Sequence, residues 1–328
     1  MTKELLVTKQ NGFMNDCDTE TATKPLLVMK FGGTSVGGPI PIARTTSIIE
    51  RYTREGNSLV VVASAIKGVT DSLVGIGKCI QDGKRLELEL GLEDIFYRHL
   101  DVANNLNLSH PLKTSLNTRI EELFFELYQY ASELRGLTSE KSDRILSYGE
   151  RLSIRIVQAK LLSRGLVAET VDATEIIETD DNFGQASPDI EKTARYARDL
   201  LLPMVTDGVI PIVTGFIGST RYRKTTTLGR GGSDYTASIL GKVLDADEVW
   251  IWTDVDGVYS ADPRKEPNAQ FIPELSQVRA HQMAMAGARV LYPKTIEPLM
   301  GTGIDLWVKN TFNPDAAGTR VYYKTDSK

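Results

Sequence analysis

Cysteine and histidine are scarce in this chain: two cysteines, Cys17 and Cys79, and three histidines among 328 residues. The two cysteines show no metal-like pairing and fit a reducing, cytoplasmic compartment. Basic charge is not in excess either. Lysine and arginine total 38 against 43 acidic residues, a formal charge of −5. That argues against a nucleic-acid partner, because no surplus cation exists to neutralise phosphates. No apolar run approaches the roughly 18 residues of a membrane span, so no membrane segment is expected. Residues 1–24 hold Asp16, Asp18 and Glu20 and lack an apolar h-region, which excludes a signal peptide. Polar and aperiodic, they read as a flexible tail. Internal repeats and low-complexity linkers are missing.

What is present is length enough for a substantial core, in one large domain or two lobes. Leu26–Phe31 is a short apolar run ended by Gly32-Gly33, and a helix is expected over Pro39–Arg54 with prolines in its first turn. Leu59–Ala63 contains three consecutive valines. Continuous β-branched runs indicate strands covered on both faces, hence a parallel sheet. Residues 73–165 read as mostly helical. Strands are expected at Leu166–Val171, Val209–Thr214 and Glu248–Thr253, separated by helices over Pro188–Leu202 and Asp234–Leu244. That alternation is an α/β pattern. Arg221–Leu228 reads as a hairpin arm. A helix over Leu275–Ala286, a short helix after Pro293 and strands at Asp305–Lys309 and Thr319–Tyr323 close the chain. The expected organisation is a single two-lobed unit, 25–205 and 206–328.

Four loops bear on the chemistry. Thr225–Ala237 reads TTTLGRGGSDYTA: glycines and an arginine immediately before an amphipathic helix. Glycines let backbone N–H groups approach a ligand, a helix start favours negative charge, and the guanidinium fork matches a carboxylate or phosphate. Lys30–Ser35 (KFGGTS) follows the first strand with an ammonium, two glycines and two hydroxyls, a phosphate-cradling order. Ser64–Asp71 is a second glycine- and hydroxyl-containing turn, weak by itself. Trp252–Tyr259 ends a late strand and turns through Asp256-Gly257, without the spacing of a calcium loop. A Walker A loop and the protein-kinase signatures are absent, so phosphoryl transfer here needs another fold.

Lys30–Val36 (KFGGTSV), Ser64–Thr70, Gly149-Glu150-Arg151, Thr214–Gly218, Thr225–Ala237 and Trp252–Arg264 stand in the order seen in aspartate kinases, and the chain resembles that branch of the amino acid kinase superfamily over residues 26–323. The resemblance implies a three-layer α/β/α sandwich with a mainly parallel central sheet, an N-terminal aspartate-binding lobe and a C-terminal nucleotide-binding lobe. It implies transfer of the ATP γ-phosphoryl group to the β-carboxylate of L-aspartate, with ATP and Mg²⁺ as cofactors, no protein-only metal site, and a homodimer. The acceptor's β-carboxylate, with a pKa of about 3.9, is ionised at neutral pH and needs no general base.

By the same resemblance Lys30 and Asp234 are catalytic, the lysine neutralising the transferring phosphoryl group and the aspartate orienting it. Arg230 grips the α-carboxylate and Glu150 the α-ammonium, with Ser64, Thr70, Gly231, Gly232 and Ser233 completing the acceptor site. Phe31, Gly32, Gly33, Thr253, Asp254, Tyr259, Arg264, Arg289 and Val290 line the nucleotide site together with Lys30. Three departures stand out. Relatives commonly carry lysine where this chain has Arg289 and histidine where it has Tyr292. Gln277–Met283 lacks the glutamates common there, for which we have no physical account. Many relatives continue into lysine- or threonine-binding ACT domains, whereas this sequence ends at Lys328; the enzyme lacks intrinsic feedback control, or a separate ACT-containing chain supplies it, or the sequence is a piece of a longer protein, and the expectation is no inhibition of the isolated chain by either amino acid. Competing readings are a sibling kinase for another amino acid, a non-catalytic regulatory subunit, and a nucleotide-binding protein without kinase activity.

Overall fold

The computed structural model describes residues 24–261, 266, 268–287 and 291–323. Strand β1 (Leu26–Phe31) leads through α1 (Pro39–Arg54) to β2 (Ser58–Ala63). Helices α2 (Val69–Asp82), α3 (Arg85–Asn104), α4 (His110–Glu133) and α5 (Ser139–Leu162) follow, then β3 (Ala168–Val171). The short β4 (Glu178–Thr179) precedes α6 (Ile190–Thr206), β5 (Ile210–Thr214) and a hairpin of β6 (Ile217–Thr220) and β7 (Thr225–Thr227). Helix α7 (Gly232–Leu244) returns to β8 (Glu248–Thr253). The last part holds β9 (Val258–Tyr259), β10 (Phe271–Ile272), β11 (Glu274–Ser276), α8 (Gln277–Met285), α9 (Pro293–Ile296), β12 (Asp305–Asn310) and β13 (Thr319–Tyr322).

Eight strands form one sheet in the order β11-β13-β12-β8-β1-β2-β5-β3. Each pairing is parallel except β12 with β13. Period-2 alternation divides the side chains between two cores. Leu27, Met29, Phe31, Leu59 and Val61 pack with α1 to α5, and Val28, Val60 and Val62 pack with α6 to α9. The architecture is therefore the expected α/β/α sandwich. Under the first layer Phe31 stacks on Trp252 with centroids 5.9 Å apart. The Glu248 carboxylate accepts the indole N–H of Trp250 at 2.6 Å and of Trp307 at 3.1 Å, tying β8 to β12.

The helix expected from Leu275 starts at Gln277 instead. Leu275 pairs with Val321 in a parallel ladder, and Ser276 then caps α8 by accepting the Arg279 N–H at 3.2 Å. Long-range pairing overrides the helical period there. No described helix is long and apolar enough to cross a membrane. The expected tail at residues 1–24 lies, but for Lys24, outside the described residues.

Candidate active site

β1, β2, β5 and β8 all release their chains at one edge of the parallel sheet, and the crevice outside such carboxyl ends is where open α/β sheets bind ligands. Lys30 shares a face with Val28, so the strand's period aims it at the α7 layer. There its Nζ lies 2.5 Å from Asp234 Oδ1, both side chains about 10% exposed, at 11% and 10%. The two loops after β1 and β2 touch. A Cβ on Gly33 would sit 2.9 Å from the Ala65 carbonyl oxygen, and Lys67 N–H donates to Gly33 O at 3.1 Å. Only glycine permits that approach.

Helix α7 begins at Gly232 behind Gly231, whose φ of 74° is left-handed. A side chain at Gly231 would also strike the Tyr292 ring at 2.5 Å. Gly32 N–H donates to Trp252 O at 3.2 Å and Gly232 N–H to Gly229 O at 2.9 Å, so those two amides are engaged within the fold. The Gly33 N–H has no acceptor among the described residues, which leaves it available to an anion.

A cavity of about 870 Å³ gathers Lys30, Gly33, Ser64, Thr70, Glu150, Arg230, Gly231, Gly232, Ser233 and Asp234. Helix α5 supplies Glu150. Thr138 caps that helix by accepting the Lys141 N–H at 3.3 Å. Glu150 is 2% exposed. Ala65 N–H donates to its Oε1 at 3.2 Å, while Oε2 has no hydrogen-bond partner among the described residues. Burial pushes its pKa up to about 8, against the pull of the Ala65 N–H and of Lys30. Arg230, by contrast, is exposed and makes no ion pair with a described residue. The cavity thus offers an unpaired guanidinium and a carboxyl group with one unsatisfied oxygen.

Asp143 also lines the cavity and was not evident from motifs. It lies seven residues before Glu150 on the same face of α5, a helical repeat that is the available sequence signal. Its carboxylate is 1% exposed. Lys67, Phe183 and Tyr292 line the cavity as well.

The residues assigned to the nucleotide are less gathered. Phe31 is fully buried against Trp252, leaving no side-chain surface for a ligand. Thr253 closes β8 and donates its hydroxyl to Asp254 Oδ1 at 3.4 Å. Tyr259 lies in β9, edge-on to Phe271 at 5.5 Å. Gly32, Thr253, Asp254 and Tyr259 stand outside the cavity lining. Arg264, Arg289 and Val290 lie outside the described residues. None of the three histidines lines the cavity; His99 is buried in α3 with its Nδ1 2.7 Å from Ile95 O, and burial lowers its pKa to about 4.

The sequence model of the amino acid kinase family matches residues 25–310. This chain belongs to the amino acid kinase family. Among curated members it is 36% identical to the lysine-sensitive aspartokinase 3 of Escherichia coli K12, over 92% of this chain and 65% of that protein. It is 37% identical to an aspartokinase of Chlamydia pneumoniae, over 90% of this chain and 62% of that protein. This kinase-family chain thus spans under two thirds of the length of those relatives. Its fold superposes on the crystal structure of E. coli aspartokinase III in complex with aspartate and ADP (R-state), with a TM-score of 0.84 and 35% identity, over 92% of this chain and 65% of that one.

Proposed function

We propose that this protein is an aspartate kinase that transfers the γ-phosphoryl group of ATP to the β-carboxylate of L-aspartate, giving 4-phospho-L-aspartate, the entry to lysine, threonine and methionine synthesis. The observation that carries this reading is Glu150. A buried carboxyl group with an unsatisfied oxygen is costly, and an ammonium of the acceptor relieves it. Arg230, unpaired in the same cavity, takes the α-carboxylate, and the two opposite charges select a zwitterion. The aspartokinase relatives, one of them seen with aspartate and ADP, support the choice of acceptor and nucleotide.

The acceptor's own carboxylate is the nucleophile. Its oxygen forms a bond to the γ-phosphorus as the bond to the bridging oxygen of ADP breaks, and no proton need move. Catalysis rests on alignment and charge neutralisation. Lys30 neutralises the transferring group, and Asp234 fixes the Lys30 ammonium. Ser64, Thr70 and Ser233 donate hydroxyls to the acceptor, and the Gly33 N–H meets a phosphate oxygen. Among the described residues no cluster of three or more His, Cys, Asp or Glu could hold a metal. Asp234, paired with Lys30 through Oδ1, would hold Mg²⁺ arriving on nucleotide phosphates, since that ion takes one or two carboxylates plus phosphate and water. When bound, it neutralises charge on those phosphates. On this reading the segment before residue 205 supplies Ser64, Thr70 and Glu150 to the acceptor, Arg230 and Ser233 reach it from the later segment, and Thr253, Asp254, Tyr259, Arg264, Arg289 and Val290 stand at the nucleotide. The chain works as a cytoplasmic homodimer, as the family resemblance implies.

The test is trapping of the acyl phosphate by hydroxylamine. Hydroxamate should form only with both ATP and aspartate, and glutamate and acetylglutamate should not replace aspartate. Equal yields from wild type and Lys30→Ala would sink the assignment.

A further inference from the structure

Asp143 takes no part in the chemistry above, yet three segments of the cavity wall meet on it. Its Oδ2 accepts the Gly184 N–H and the Thr227 N–H, each at 2.8 Å. Its Oδ1 accepts the Thr227 hydroxyl at 2.9 Å. No cation pairs with it among the described residues. Burial raises its pKa, and the three donors oppose that rise. Thr227 ends β7, three residues before Arg230. Gly184 belongs to the 180–187 loop, which is clamped to the same strand by Ala186 N–H donating to Thr227 O at 2.9 Å. That loop in turn abuts the turn before Arg230, since a Cβ on Gly229 would lie 3.2 Å from Gly184 O. Glu150 stands two turns along α5 from Asp143.

We infer that Asp143 is a positioning residue for the acceptor: it fixes the strand leading into Arg230, and the loop bearing Phe183 and Gly184, against the helix that carries Glu150. The span between the guanidinium and the buried carboxyl group is thereby set, and with it the length of zwitterion that reaches Lys30. A carboxylate suits this node because two of its donors are backbone N–H groups from separate segments. Both need one acceptor at the same point. Asparagine can reproduce the node, its oxygen taking both N–H groups and its NH₂ donating to Thr227 Oγ1. Alanine cannot.

This role rests on the amino acid acceptor reading above, so its test carries a readout that does not. In steady-state kinetics Asp143→Ala should raise the KM for aspartate about tenfold or more while the KM for ATP and kcat change less than about threefold, as expected when the binding span for one substrate is loosened in ground and transition state alike. Asp143→Asn should stay near wild type. Thr227→Val, which removes one of the three bonds, is the milder variant if Asp143→Ala does not fold, and should raise the aspartate KM alone. Hydrogen exchange of the Gly184 and Thr227 amides should quicken in Asp143→Ala and not in Asp143→Asn. A parallel rise in both KM values with no rescue by asparagine overturns the positioning role, as does an unchanged aspartate KM. If wild type fails to use aspartate, the function reading falls; amide exchange unchanged in Asp143→Ala separately overturns the node.

Discussion

Glu150 gives the pH dependence of acceptor binding a definite sign and size. Its pKa lies at about 8 against an ordinary 4.5, because burial penalises the charged form more than the Ala65 N–H and Lys30 favour it. An ammonium requires the ionised form. With that pKa only about a tenth of the molecules are ionised at pH 7 and about a hundredth at pH 6, each step of one pH unit being about 1.4 kcal/mol. The Kd for aspartate should therefore fall about tenfold from pH 6 to 7, less from 7 to 8, and level off above about pH 8.5. Binding near neutrality should release close to one proton, readable by titration calorimetry in buffers of different ionisation enthalpy.

The same shift acts on stability. A folded pKa above the unfolded one means that Glu150's contribution is present in full below about 4.5 and is lost as pH rises through about 8. Aspartate should accordingly raise Tm more at pH 8 than at pH 6. Asp143 also titrates upward and Lys30 and Asp234 line the same cavity, so Glu150→Gln is the control. It should bind aspartate more weakly than wild type at pH 8 and show no slope between pH 6 and 8. A flat wild-type profile over that range, or the same slope in Glu150→Gln, would refute the reasoning.

Two further outcomes follow from the geometry. Gly231→Ala places a Cβ at a left-handed φ of 74° and 2.5 Å from the Tyr292 ring; a stability loss of about 1–3 kcal/mol in urea unfolding is expected, with a raised aspartate KM because Arg230 is its neighbour. Asp234→Asn leaves the Lys30 ammonium buried without its counter-charge, which costs about 3–5 kcal/mol when a buried pair is broken; Tm without ligand should drop, ATP should restore much of it, and kcat should fall about a hundredfold.

Local chemistry made much of this molecule legible. The apolar runs at β1, β2 and β8, with three valines in succession in β2, announce buried parallel strands, and Gly32-Gly33 and Gly229–Gly232 mark the sharp turns after β1 and before α7. The start of α8 was not legible, because Glu274–Ser276 is recruited by β13, a partner far along the chain. Asp143 was hidden for a related reason. An aspartate inside a helix reads as a solvated face until the hairpin strand β7 covers it. Phe31 shows the opposite case: it sits within a ligand-facing motif, but the alternation of β1 turns its ring into the core onto Trp252.

The sequence by itself determined the α/β class, the order of the loops and the family, since these are carried by periodicity and by short runs whose backbone requirements are local. Only the tertiary structure decided that Lys30 meets Asp234, that Glu150 keeps an oxygen without a donor, and that Asp143 joins three walls of one cavity. Those facts depend on which groups lose water together, and desolvation is a property of packed neighbours that no run of adjacent residues contains.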